Sequence, residues 1–194
     1  CLTYLVAPNT RWAYHNAVYT LAHTVLETAT ATSLNLFTYQ NVLQPTGMGG
    51  LWFKNGYNEI FGSKLRDMAR FGLLIQNIGI WDGDTLLADT SYFNKMINSS
   101  QNLNKAYGYL WWLNGKSSYM LPQSQLVFNS WLVPNAPADA WCALGKNDQK
   151  IYVSQSTGLV VVRMGNSAGQ PHLAVSSFDN QLWQKINALN CSNF

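Results

Sequence analysis

The stretch from Gln149 to Met164 constrains this chain most. Gln149–Ser154 and Leu159–Met164 are rich in β-branched and aromatic residues, and the turn-prone Gln155-Ser156-Thr157-Gly158 joins them, so the pattern predicts an antiparallel hairpin. A lone hairpin is marginal in water and needs further strands or a helix over its apolar face. The chain provides that helix next, because Val175, Phe178, Leu182, Ile186 and Leu189 recur at helical spacing. Ser176 or Ser177 can cap it, and Asp179 is well placed against the N-terminal dipole.

Upstream, the periodicity is helical. Val18, Leu21, Ala22, Val25, Leu26 and Ala29 predict an amphipathic helix over 17–30 with Asn16 as its cap. A shorter helix is expected over 34–43, ended by Pro45 and the glycines of Pro45-Thr46-Gly47-Met48-Gly49-Gly50. A third begins near Ser63, carries Met68, Phe71, Gly72, Ile75 and Ile78 on one face, and stops at Gly79. Trp81-Asp82-Gly83-Asp84 reads as a turn before a short helix ending near Ser99. Tyr107–Leu113 is strand-like, and an Asn/Ser/Pro-rich segment follows to Ala138. Helices followed by a meander and a terminal helix make an α+β order: an antiparallel sheet of C-terminal strands with their helix, beside a helical region. No linker or repeat divides the 194 residues, which read as a single unit.

Composition excludes several function classes. Only 11% of the chain is charged, with a net charge of +3, where a globular domain carries about 25% charged residues. No basic stripe exists to hold nucleic acid, and no apolar run approaches the roughly 18 residues of a membrane span. Cys1, Cys142 and Cys191 lack metal-type spacing, so no metal site is expected, and a single disulfide would leave an odd thiol. The low charge and Asn-rich polar surface suit a periplasmic or secreted protein. The chain starts at Cys1 rather than methionine, as either an excerpt or a processed terminus would, and a lipid-anchored Cys1 is one version of the latter.

Among candidate motifs, Gly165-Asn166-Ser167-Ala168-Gly169 matches a nucleophile elbow with His172 nearby. Pro171 interrupts the helix an elbow requires, and Asp179 follows the histidine instead of preceding it. A polar loop is the better reading. His15 and His23 have no ligand cluster beside them. In Trp111-Trp112, neighbouring strand residues face opposite sides, so one of them is a candidate cleft wall.

Pro8-Asn9-Thr10-Arg11-Trp12-Ala13-Tyr14-His15-Asn16 runs straight into the first amphipathic helix. Here the chain resembles the serine β-lactamase and penicillin-binding-protein-like hydrolases, in their class C β-lactamase, DD-peptidase and esterase branch. That family carries a Pro-Gly-Thr-x-[Phe/Trp]-x-Tyr-x-Asn segment, and Asn9 stands where glycine is usual. Leu43-Gln44-Pro45-Thr46-Gly47-Met48, Arg66-Asp67-Met68-Ala69-Arg70-Phe71-Gly72, Tyr107-Gly108-Tyr109-Leu110-Trp111-Trp112 and the strands from Ala143-Leu144-Gly145 through Tyr152 to Arg163 resemble further family segments in order. The resemblance implies a β-lactamase/transpeptidase-like fold, incomplete at its N-terminus, acting on a small ester or amide without a cofactor. It implies Tyr14 as the proton shuttle, Asn16 as a hydrogen-bond partner of substrate and lysine, and Ala143-Leu144-Gly145 as the strand that aligns substrate and helps form an oxyanion hole.

Two departures follow. No serine in the chain has a lysine three positions on, so the family's Ser-x-x-Lys nucleophile is absent from these residues. Ala143 stands where the family carries lysine or histidine before Thr-Gly. The implied partner is therefore the N-terminal part of the same domain, and some apolar surface should stand uncovered without it. The competing expectation is a non-catalytic descendant serving as a binding or structural module.

Overall fold

The computed structural model describes residues 3–170 and 174–189. Cys1, Pro171, His172 and Cys191 lie outside the described residues. The chain groups into two compact units, one of Cys1–Tyr14 with Asp89–Phe194 and one of His15–Ala88. Both are mixed α/β with small antiparallel sheets.

In the unit His15–Ala88, α1 (Ala17–Thr30) has the expected bounds, but Asn16 does not cap it. Asn16 is itself helical, and its amide donates to Asn58 Oδ1 at 3.3 Å, while the Ala17 N–H donates to His15 Nδ1 at 3.0 Å. The apolar stripe is no core either: no residue of α1 is buried, and Val18, Leu21 and Val25 are 60%, 47% and 66% exposed. Within its unit the helix packs through its other face, where Tyr19 meets Asn58 and His23 meets Glu59 at 3.1 Å and Trp52 at a ring separation of 4.5 Å. The uncovered apolar surface expected from the sequence is present here.

The next helical stretch runs through α2 (Leu34–Thr38), a π turn (Tyr39–Leu43) and α3 (Gln44–Thr46). Pro45 does not end it. The proline occupies the first turn of α3, where its missing N–H costs nothing, and Gly47 at φ 65° provides the stop. A hairpin then forms from β1 (Gly50–Asn55) and β2 (Asn58–Ser63). The sequence reading overlooked it, although Asn55-Gly56 between aromatic-rich flanks is a hairpin signal. Ser63 therefore closes a strand, and α4 (Leu65–Gln76) starts two residues later, its N-cap Lys64 making no side-chain bond. The buried face of α4 is Asp67, Gly72, Leu74 and Ile75, so Met68 and Phe71 do not lead it. Asp82 and Gly83, both at positive φ, form the expected tight turn between β3 (Ile80–Trp81) and β4 (Asp84–Thr85).

In the other unit, α5 (Thr90–Met96) precedes β5 (Trp112–Leu113). Tyr107–Leu113 is not one strand. Tyr107 pairs with Trp112 across a bridge, with Leu110 at φ 64° at the bend, so the segment doubles back. A small hairpin, β6 (Tyr119–Met120) with β7 (Val127–Phe128), lies within the polar segment. The main sheet follows from β8 (Trp141–Leu144), β9 (Lys150–Ser154) and β10 (Leu159–Arg163) in the order β10-β9-β8-β5, all antiparallel. The predicted hairpin is its β9–β10 half.

Helix α6 (Ser177–Asn187) starts from a capping box in which Ser176 and Asp179 exchange bonds with each other's backbone. It packs on the sheet through Trp183, 1% exposed, with Leu182 and Ile186 partly buried beside it. Leu189 is exposed, so the predicted stripe is rotated towards Trp183. The core of this unit is Trp12, Trp112, Leu132, Val133, Cys142, Tyr152 and Trp183 with smaller neighbours. Among the described residues, no helix is long and apolar enough to cross a membrane.

Candidate active site

Tyr14 is half-buried at the end of an extended segment whose preceding tryptophan, Trp12, is a core residue. Alternation along that segment turns Trp12 and Tyr14 to the same side. There Tyr14 stacks on Trp112, centroids 6.1 Å apart and planes within 16°, and Trp12 meets the same ring edge-on at 6.0 Å. Tyr107 closes the group, 4.9 Å from Trp112 and 6.1 Å from Tyr14.

Trp112 also locates Tyr14 relative to the sheet, because it is the β5 residue paired with Cys142 of β8. The next residues of the chain are Ala143, Leu144 and Gly145. On one side β8 pairs with β9, Ala143 opposite Ile151 and Leu144 opposite Lys150. On the other side β5 reaches only Trp141 and Cys142. Past Cys142 that edge has no strand beside it among the described residues. The Gly145 N–H is bonded to the Gln149 carbonyl at 2.8 Å. In an antiparallel ladder the amides alternate in direction, so the Leu144 amide faces the open edge. An unpaired edge offers backbone donors and acceptors to an extended substrate or to a developing oxyanion.

The turn after Gly145 is held from several directions. Asn147 and Asp148 both sit at positive φ, 58° and 56°, a region uncommon for non-glycine residues and most readily adopted by Asn and Asp. The guanidinium of Arg163 donates to the carbonyls of both at 3.0 Å. The Asp148 carboxylate accepts from the Ala168 N–H at 2.7 Å, the Gly169 N–H at 3.2 Å and the Ser176 hydroxyl at 2.7 Å. Lys150, fully buried, lies 3.2 Å from Asp148 and 3.0 Å from Asp179 and donates to the Ala174 carbonyl at 2.7 Å. The Tyr152 hydroxyl donates to Asp179 from the same side of β9.

This cluster joins β9, the 165–170 loop and the cap of α6. Burial alone would raise Asp148, but the Ala168 N–H, the Ser176 hydroxyl and Lys150 outweigh it and hold the carboxyl at about 2. Burial, reinforced by the charge of Asp179, pushes the Tyr152 phenol far up, and burial pushes up the Cys142 thiol, which is free and inert. Sequence reasoning missed the cluster. Its signal was a lysine inside a β-rich run of a chain with only 12 basic residues.

The remaining candidates separate. Asn16 belongs to the other unit, where it bonds Asn58. Trp111 is 5% exposed and Trp112 1%, and it is Trp112 that carries Tyr14. Ser167 donates to Asn147 Oδ1 at 3.3 Å from a loop, and among the described residues 165–170 no helix opens at the elbow-like motif. His23 is paired with Glu59, and Lys146, just past Gly145, is exposed. No group of three metal-ligating side chains occurs among the described residues.

A family model described as Beta-lactamase matches residues 3–182. Among solved structures, a Bacillus anthracis protein described as "putative 6-aminohexanoate-dimer hydrolase" superposes with a TM-score of 0.66 at 18% identity, over 95% of this chain and 44% of its own. A Bacteroides dorei DSM 17855 protein described as "putative beta-lactamase" gives 0.65 at 15% identity, over 95% of this chain and 60% of its own. At such identities the likeness is one of fold, and the chain spans about half the length of the structures it matches. No curated protein matches it.

Proposed function

The chain belongs to the Beta-lactamase family, and from that premise we propose that it is part of a serine hydrolase that opens an ester or amide through an acyl-enzyme. The nucleophile comes from a Ser-x-x-Lys segment outside these 194 residues, so this chain alone is inactive. Tyr14 takes the proton from the attacking serine hydroxyl and returns it to the leaving group. The Ala143-Leu144-Gly145 edge aligns the substrate, with the Leu144 amide as an oxyanion donor. Trp112 forms the wall under Tyr14.

The observation that supports this best is the stacking of Tyr14 on Trp112, whose strand partner Cys142 directly precedes the open edge. Tyr14 thus packs on the strand that pairs with β8 just before that edge, and acyl transfer requires the shuttle and the oxyanion donor to be close together. A small ester, peptide or β-lactam is the substrate class, and a periplasmic or secreted location goes with it. Ala143, standing where the family has a cationic group, favours an esterase-like member over a β-lactam specialist and is also what a non-catalytic descendant would show.

The test is to read the gene upstream of Cys1 and to treat the protein from its native source with a fluorophosphonate probe. A single adduct on the serine of a Ser-x-x-Lys segment, slowed at least a hundredfold by Tyr14→Phe, is expected, with no adduct on the 194-residue chain. Labelling of the isolated chain, or a gene without that segment, would overturn the reading.

A further inference from the structure

Gln125 is the residue through which the β6–β7 hairpin reaches the Tyr14 segment, and the chemistry proposed above does not use it. Its side-chain amide donates to the Trp12 carbonyl at 2.9 Å, across 113 positions of sequence, and to the Ser124 carbonyl at 3.1 Å. The two bonds use the two N–H groups of one amide and fix its orientation. Around it the turn has a frame of its own. The Ser124 N–H donates to the Leu121 carbonyl at 3.2 Å, and the Leu126 N–H donates to the Ser124 hydroxyl at 3.1 Å.

The base of the hairpin is anchored in the core. Tyr119 stacks on Phe128, centroids 4.9 Å apart and planes within 14°. Asn104, fully buried, donates to the Met120 carbonyl at 3.2 Å and accepts the Met120 N–H at 3.1 Å, and Met120 belongs to the same core as Trp12 and Trp112. The gripped segment has less support of its own. It belongs to no strand and its residues 3–11 are exposed, so Trp12 is held by its buried ring and, through its carbonyl, by Gln125. Tyr14 follows two residues later on the same side, so a shift of the Trp12 backbone carries the phenol with it. Gln125 is itself exposed, and exchanging it opens no cavity.

We propose that Gln125 is a positioning residue for Tyr14: the β6–β7 turn grips the Trp12 carbonyl and thereby sets where the Tyr14 phenol stands over Trp112. This rests on the reading of Tyr14 as the proton shuttle. Gln125 exchanges no proton; its part is the placement of a group whose misplacement by about 1 Å costs up to roughly a hundredfold in rate.

The experiment follows the Tyr14 ring protons by NMR in the 194-residue chain carrying 13C-labelled tyrosine, assigned with Tyr14→Phe. The Trp12, Tyr107 and Trp112 rings around Tyr14 displace that signal from its position in the unfolded chain. Gln125→Met keeps the reach of the side chain and removes the donor at every pH. Gln125→Glu removes it only while the carboxyl is ionised, since a protonated carboxyl donates. At pH 7 both variants should lose about a quarter or more of the displacement, because the lost bond frees the Trp12 backbone. On acidification Gln125→Glu should regain at least about half of that loss, in a step centred near the ordinary glutamate value of about 4.3, whereas Gln125→Met and the parent show no such step. In the full-length protein that includes the nucleophile segment, Gln125→Glu at pH 7 should lower the maximal rate of fluorophosphonate labelling about tenfold. The half-saturating probe concentration should change less than about twofold, as loss of placement rather than of binding requires. A Tyr14 signal left in place by Gln125→Met, no acid-side recovery in Gln125→Glu, or labelling of full-length Gln125→Glu at the parent's rate overturns the proposal. Should the full-length parent itself not label, the reading of Tyr14 as the shuttle falls, and the Tyr14 signal alone decides whether Gln125 places that ring.

Discussion

Replacing Asp148 by asparagine tests whether the buried cluster behind β9 holds this half of the molecule together. Asp148 is 2% exposed, and its carboxyl is held at about 2 against an ordinary 3.8. At 1.36 kcal/mol per pH unit, that difference is about 2 kcal/mol of stability. Because the folded value is depressed, the contribution is complete above about pH 4 and drains away as pH falls towards 2. Asparagine has no charge to lose and must turn its NH2 either towards the Ala168 and Gly169 N–H groups or towards Lys150.

Asp148→Asn should therefore be at least about 2 kcal/mol less stable at pH 7, and the gap should shrink by about that amount at pH 2. Equilibrium urea unfolding, followed by tryptophan fluorescence at a series of pH values, measures both quantities on one pair of proteins. A gap under about 0.5 kcal/mol at pH 7, or one that stays constant down to pH 2, would refute the reasoning: either the bonds to Asp148 are not made, or they do not favour its charged form.

Other consequences follow from burial. Trp112→Ala removes a side chain only 1% exposed and should cost about 3–5 kcal/mol in chemical denaturation, while Trp112→Phe should cost less and retain a ring under Tyr14. Serine at both Val18 and Val25, which are 60% and 66% exposed, should change the stability of this chain by no more than about 0.5 kcal/mol per site. A loss above 2 kcal/mol would mean that the stripe of α1 is core after all. Gly108→Ala pushes a methyl group into the Met96 carbonyl and should cost about 1–3 kcal/mol, read as a lowered melting temperature; an unchanged melting temperature would show that the 107–112 turn is not tightly packed.

Much of the fold is legible in the residues. Ala17–Thr30, the 149–164 hairpin and the Asp82-Gly83 turn each carry a local signal, whether a period or a turn dipeptide, and each formed where that signal lies. Tyr107–Leu113 misled because its aromatic run has strand composition, whereas the backbone turns back at Leu110 so that Tyr107 bridges Trp112. The β1–β2 hairpin was overlooked because the glycines before it read as a simple stop, although Asn55-Gly56 was there to be used. In the site, the Tyr-x-Asn segment was recognisable. The stacking of Tyr14 on Trp112 and its proximity to Tyr107 were not, since those rings come from distant parts of the chain.

By itself the sequence determined the period of each element, the family resemblance and the absence of Ser-x-x-Lys from these residues. A period says that a helix has an apolar face, but it does not say what covers that face. Tertiary structure decided that α1 meets its own hairpin through Tyr19 and His23 and leaves Val18, Leu21 and Val25 outside. It also decided that Lys150, Asp148 and Asp179 meet in the interior, and that β5 pairs with β8 no further than Cys142 and leaves Leu144 facing an open edge. Each of these depends on contacts between residues far apart in the chain, where burying a charge or leaving an amide unpaired is set by which segments the fold brings together.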